Sequence, residues 1–226
     1  MSITEEFFEI IRTGNSTRLK DVLKTNPQLA TSSNPEGVKP IMYAVYTSHG
    51  NLVEDLIDAG AEVGYFEALV LGKLDKVVSA IKVDPILVNA FSPDGFPAPG
   101  LAAFFGQIGI LDYLLLHEAN PNQAAQNSTR VMPLHSAVTY SKPEVALAMA
   151  RNLISHGANV NATQQGGWTP LHEAALNNHV ELARLLVEYG ADVNCRSDDG
   201  TTSFKLAVDR SHKEMVQFLR GHGAKE

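Results

Sequence analysis

One cysteine, Cys195, in 226 residues excludes an internal disulfide framework and any multi-cysteine zinc site. Basic residues are also scarce: 18 lysines and arginines stand against 25 acids, a formal net charge of −7. No Lys/Arg cluster is present to neutralise phosphates, so nucleic acid is not expected as a partner. No apolar run approaches membrane-spanning length. The start, Met-Ser-Ile-Thr-Glu-Glu, is acidic and lacks the basic region and apolar core of a secretory signal. No membrane association and a cytoplasmic location are therefore expected. Also missing are a Gly-x-Ser-x-Gly motif, a phosphate-cradling loop and a dinucleotide fingerprint. What remains is ordinary globular material, 44% hydrophobic and 19% charged, long enough to bury a substantial core.

The positive signal is self-similarity. The clearest copy runs Gly167-Trp168-Thr169-Pro170-Leu171-His172-Glu173-Ala174-Ala175, through Asn178-His179-Val180-Glu181 and Leu185-Leu186, to Gly190-Ala191-Asp192-Val193-Asn194. Met132-Pro133-Leu134-His135-Ser136-Ala137 with Gly157-Ala158-Asn159-Val160-Asn161 repeats it, as does Lys39-Pro40-Ile41-Met42-Tyr43-Ala44 with Gly60-Ala61-Glu62-Val63. Weaker copies begin at Asp94-Gly95-Phe96 and Asp199-Gly200-Thr201, and degenerate ones hold Phe66 to Gly72 and Phe7 to Gly14. A small residue ends the first helix of each copy, at Gly14, Ser48, Gly72, Gly106, Ser141, Asn178 and Ser211. The intervals are 34, 24, 34, 35, 37 and 33 residues, one period with a deletion and an insertion.

Within the clearest copy, Thr169 can cap a helix through its hydroxyl and Pro170 sits where the first helical N–H needs no partner. Asn178 can adopt the left-handed conformation that stops a helix. Leu182, Leu185 and Leu186 then lie on one face of a second helix. Asp94-Gly95 and Asp199-Gly200 are turn signals.

The period together with Thr-Pro-Leu-His-x-Ala resembles the ankyrin-repeat family over essentially the whole chain. The resemblance implies an all-α solenoid of stacked helix-turn-helix units with projecting β-turn or hairpin loops. It implies one domain over residues 1–226, in about seven repeats near 1–33, 34–63, 64–91, 92–126, 127–163, 164–196 and 197–226, the first and last acting as caps. It also implies that His172 bonds locally with Thr169 and neighbouring backbone.

Three irregularities stand out. Only Glu62-Val63-Gly64 separates Ala61 from the next helix, which predicts a gap in the row of loops and a local change of curvature. Phe96-Pro97-Ala98-Pro99-Gly100 replaces the Thr-Pro-Leu-His segment, read as drift tolerated by neighbours or as a softer segment that adapts to a partner. About four extra residues between Ser141 and Gly157, with Pro143-Glu144 as a helix start, predict a second helix one turn longer.

For function, the resemblance implies a protein partner bound on a concave groove and on loop tips. The groove positions it assigns are Tyr46 and Thr47, Val70 and Leu71, Phe104 and Phe105, Thr139 and Tyr140, Leu176 and Asn177, and Asp209 and Arg210. The candidate partner-binding residues are Tyr43, Tyr46, Leu71, Phe96, Phe104, Phe105, Tyr140, Trp168 and Asn177, since exposed aromatic side chains are typical interface anchors. Phe96 and Trp168 can equally be rings packed between adjacent repeats. His135 and His172 share one repeat position, as do His49, His179 and His212, which explains them structurally. No catalytic residue, cofactor or metal site is assigned. The reading is a non-catalytic, monomeric interaction module or scaffold, with self-association through exposed aromatics as a further option. The competing class is an enzyme or small-ligand binder with a pocket around residues 65–105, where Glu67, Lys73, Asp75, Asp94 and Gln107 are the available polar groups.

Overall fold

The computed structural model describes residues 2–225. Its regular structure is helical: α1 (Ile3–Arg12), α2 (Ser16–Thr25), α3 (Pro40–Tyr46), α4 (Val53–Asp58), α5 (Tyr65–Val70), α6 (Leu74–Val83), α7 (Ala98–Phe104), α8 (Ile108–Leu116), α9 (Pro133–Val138), α10 (Pro143–Ser155), α11 (Pro170–Leu176), α12 (Val180–Glu188), α13 (Ser203–Asp209) and α14 (Lys213–Gly221). Short 3-10 turns such as Pro27–Thr31 and Pro85–Asn89 lie between them. The helices form consecutive pairs, one per repeat. Two compact blocks divide the chain: an N-terminal block up to Val83 that also takes in Ser92–Asp94, and a C-terminal block of Asp84–Phe91 with everything from Gly95 on.

In the C-terminal block the first helices α7, α9, α11 and α13 pack on one another in order, and the second helices α8, α10, α12 and α14 form a parallel row behind them. The reason is compositional. Second helices carry the large apolar side chains, for example Leu182, Leu185 and Leu186, all buried, each contributing about 1.5–3 kcal/mol of transfer free energy. First helices carry buried alanines at their centres, Ala102, Ala137, Ala174 and Ala207, which allow close approach. In the N-terminal block α1, α3 and α5 pack in sequence and α2 packs on α4, around Phe7, Ile11, Leu19, Ile41, Leu52 and Leu56.

Two polar ladders tie the C-terminal repeats together. The Asn122, Asn161 and Asn194 side chains donate to the carbonyls of Gly157, Gly190 and Gly223 at 2.8, 2.9 and 3.1 Å. Their oxygens accept from the amides of Asn159, Asp192 and Lys225. The loops are stitched by main-chain bonds: Gln126 donates to Gly95, Gln165 to Thr129 and Asp198 to Gly166, at 2.8, 2.9 and 2.9 Å.

The helix reversals show how the small marker residues work, and one exception. In five repeats three residues separate the helix pair, and in repeat 2 the 3-10 turn Gly50–Leu52 lengthens the link; in all six the second linking residue is left-handed: Gly14, Ser48, Gly72, Gly106, Asn178 and Ser211. The next amide then bonds back to the helix, as in His179 to Ala174 and Gln107 to Ala102. Ser141 was expected to belong to this set and does not, having no positive φ. Residues 139–142 join α9 to α10, and this longer link turns the chain without a left-handed residue. The lengthened second helix is present: α10 has 13 residues where α12 has 9.

The expected gap in the loop row needs correction. The repeat 3 loop is absent, since residues 59–64 alone join α4 to α5. The row closes up instead: a Cβ on Gly37 in the repeat 2 loop would lie 3.1 Å from Cβ of Pro93.

Candidate partner-binding surface

The third residue of each first helix shows which repeats satisfy their own loops. In repeat 6, Thr169 donates its amide to Nδ1 of His172 at 3.1 Å, and its hydroxyl lies 2.8 Å from the same nitrogen. Nδ1 is therefore the acceptor, and Nε2–H donates to the Thr201 carbonyl at 3.1 Å. The local bond implied for His172 is thus made. In repeat 5, Nε2 of His135 reaches the Trp168 carbonyl at 3.1 Å. Its Nδ1 is buried without a hydrogen-bond partner, because Met132 stands where repeat 6 has Thr169. Burial depresses the pKa of both rings, that of His135 to about 4. In repeat 4 the position is Gly100, and the Pro97 ring fills the space, its Cγ 3.1 Å from where a Cβ would stand. Pro97 to Ala103 are all buried, so this segment is tightly packed.

The groove positions of the C-terminal block lie at the ends of α7, α9, α11 and α13. Phe104 is 57% exposed, and Phe105 meets it edge-on at 5.1 Å between centroids. Tyr140 lies against Gly106, where a Cβ would be 2.2 Å from its Cζ. That contact works only because Gly106 is glycine, with φ +68°. Thr139 and Asn177 are exposed, and Leu176 is half-buried. The Asn177 amide donates to the Glu173 carbonyl at 3.0 Å. Glu173 is half-buried, which raises its pKa, and accepts from Gln164 at 2.7 Å. No charged residue occurs from Gly95 to Leu111 or from Val131 to Ser141.

The other candidates are engaged in packing. The half-buried Trp168 ring tilts toward His172 at 5.7 Å, and its carbonyl serves His135. Phe96 is half-buried beside buried Pro97. Tyr43 meets Phe8 edge-on at 5.2 Å, and it and Leu71 lean on the N-terminal core. Tyr46 is half-buried with its hydroxyl toward Asp94 and Ser92. His179 and His212 donate from Nδ1 to the Val138 and Ala175 carbonyls of the preceding repeats, and His49 lies against Gly14. These three reach back across repeats as their shared position suggested. Sequence reasoning missed Ser92 altogether and gave Glu67 no place in the groove. The available signal was a lone acid in a helix position that holds Met42, Gly100 or His135 in its neighbours.

Of the polar groups considered for a pocket around residues 65–105, Glu67 is buried and Asp94 accepts from the Ser92 hydroxyl at 2.6 Å, whereas Lys73 and Asp75 are exposed at the start of α6. No group of three or more His, Cys, Asp or Glu side chains suited to a metal ion occurs among the described residues. Among the described residues no helix is long and apolar enough to cross a membrane.

Stacked helix pairs joined by stitched loops define a helical repeat protein. The family model described as ankyrin repeats (3 copies) matches residues 100–197 and 147–226, more than half of the chain, and the chain belongs to the ankyrin-repeat family. Repeats of this family are in general protein–protein interaction modules, and its members are typically non-enzymatic.

Proposed function

We propose that this protein is a non-catalytic interaction module that docks an apolar segment of a partner protein on Phe104, Phe105 and Tyr140, with Leu176 and Asn177 at the border. One observation carries the reading. Phe104 presents a ring more than half exposed, braced by Phe105, inside a stretch of sequence without a single charge. Aromatic side chains bury large area at low rotamer cost, which is why they anchor interfaces. A ring left this exposed makes little contribution to folding, so its removal separates binding from stability.

The test uses the full chain, immobilised, to capture partners from its native host, with Phe104→Ala and Tyr140→Ala as variants. Phe104→Ala should reduce capture about tenfold or more, the effect of a single interface anchor, while the thermal midpoint stays within about 2 °C. Undiminished capture by both variants removes the assignment. Sedimentation velocity separates the remaining outcome: a dimer that Phe104→Ala dissociates would assign the surface to a second copy of the chain.

A further inference from the structure

Five of the loops end in the same turn. The third residue before the first helix is left-handed in each: Gly37 before α3, Gly95 before α7, Arg130 before α9, Gly167 before α11 and Gly200 before α13. The φ angles of the glycines run from +73° to +86°, and that of Arg130 is +51°. The same bond closes the turn, from the amide of Gly37, Arg130, Gly167 or Gly200 to the carbonyl three residues back, at 3.0, 3.3, 3.1 and 2.8 Å. Glycine takes up this backbone region freely, whereas a residue with a Cβ is disfavoured there. Four loops use the unstrained residue and one does not.

The exception differs in further ways. Residues 117–132, which join α8 to α9, are two more than join α10 to α11 or α12 to α13. The next loop leaves little room at Gly95 and Gly167, where a Cβ would lie 3.3 Å from the Asn127 nitrogen and 2.6 Å from Oδ1 of Asp198. The Arg130 side chain, by contrast, is exposed. It forms no ion pair among the described residues, and no other charged residue occurs from Ala119 to Ser141. The tip is nonetheless held: the Thr129 carbonyl accepts from the Gln165 amide at 2.9 Å, and Oδ1 of Asn127 accepts from the Thr129 amide at 3.1 Å. A guanidinium is thus presented on a braced backbone, in a conformation that works against folding, with no ion-pair partner in its own chain. Strain kept where an unstrained residue would serve points to a use outside the fold.

We propose that Arg130 receives an acidic side chain, Asp or Glu, from the segment of the protein partner that docks on the chain. The guanidinium fork matches a carboxylate with two parallel bonds, and a single positive group in an otherwise uncharged stretch selects partners by sign. This rests on the interaction-module reading and adds a charge requirement to it. Between the Arg130 loop and Tyr140 lies α9, six residues and so about 9 Å long. An extended segment covers that length in about three residues. With the reach of both side chains, the acid is expected about three to six residues from the apolar anchor.

A phage library of random dodecapeptides is selected on the immobilised full chain. The wild type should enrich peptides that pair an apolar side chain with Asp or Glu at that spacing. One selected peptide, and the same peptide with Asn or Gln in place of the acid, are then titrated into wild type and Arg130→Gly, which closes a double-mutant cycle. The wild type should prefer the acidic peptide about tenfold, Arg130→Lys less, and Arg130→Gly not at all. Arg130→Gly should also melt at or up to about 3 °C above the wild type, because the strained residue is gone. Selected peptides without an acid, an undiminished preference in Arg130→Gly, or a midpoint more than about 2 °C below the wild type overturns the proposal. Phe104→Ala should lose the apolar preference and keep the acidic one, so failure here and failure of the Phe104 surface are read separately.

Discussion

Repeats 5 and 6 are adjacent copies of one pattern, and they use it differently. Repeat 6 keeps Thr169, His172 and Asn178, and each is occupied in holding the stack: Thr169 on His172, His172 on Thr201, and Asn178 left-handed at the reversal. Repeat 5 keeps His135 and loses the other two. Met132 leaves Nδ1 of His135 unserved, and residues 139–142 turn the chain without a left-handed residue. In that longer turn Tyr140 lies against Gly106 of repeat 4. Residues that match the repeat pattern are engaged in stacking, while departures release side chains for other work, so function is best sought at the departures.

The comparison can be broken most forcefully at the two histidines. His172→Ala removes a buried ring bonded on both sides and should cost about 3 kcal/mol, combining a cavity with unsatisfied Thr169 and Thr201 groups. His135→Ala loses the same volume but fewer bonds and should cost about 1 kcal/mol less. Equal losses by urea denaturation would mean that the missing threonine carries no energetic weight.

Acid provides the second probe. His135 titrates near 4 in the fold against about 6.5 in an unfolded chain, so the unfolded chain takes up the proton first. The stability due to neutral His135 is fully present above pH 6.5 and is lost as pH falls through 4, by about 3 kcal/mol in total. His172, also depressed by burial, acts in the same direction. Denaturation midpoints measured from pH 7 to pH 4 should fall, and His135→Ala should flatten part of that slope. A slope unchanged in His135→Ala would place the acid sensitivity elsewhere. At pH 7, Met132→Thr should stabilise the chain by about 1 kcal/mol, by capping α9 and serving Nδ1.

The smallest effect sharpens the difference between the two reversals. Asn178 has φ +56°, so Asn178→Gly should be neutral or stabilising by a few tenths of a kcal/mol. Ser141→Gly relieves nothing, since Ser141 is not left-handed, and should destabilise by about 0.5 kcal/mol through added freedom in the unfolded chain. Opposite signs in matched melts support the two geometries, and a stabilising Ser141→Gly would contradict them.

Local chemistry was enough to read much of the architecture. Thr169-Pro170, Asn178 and Leu182-Leu185-Leu186 announce a helix start, a stop and a buried face because capping, left-handed backbone and side-chain spacing act within a few residues. The extra turn of α10 was legible for the same reason: Pro143-Glu144 and the insertion length are both local. Tertiary structure alone decided the rest. Ser141 looked like its counterparts, yet the number of residues available for the turn made a left-handed residue unnecessary. The missing loop of repeat 3 looked like a gap, yet Pro93 lies against Gly37 of the repeat 2 loop. Contacts between segments some thirty to fifty residues apart depend on how whole repeats settle against one another, which no short pattern encodes.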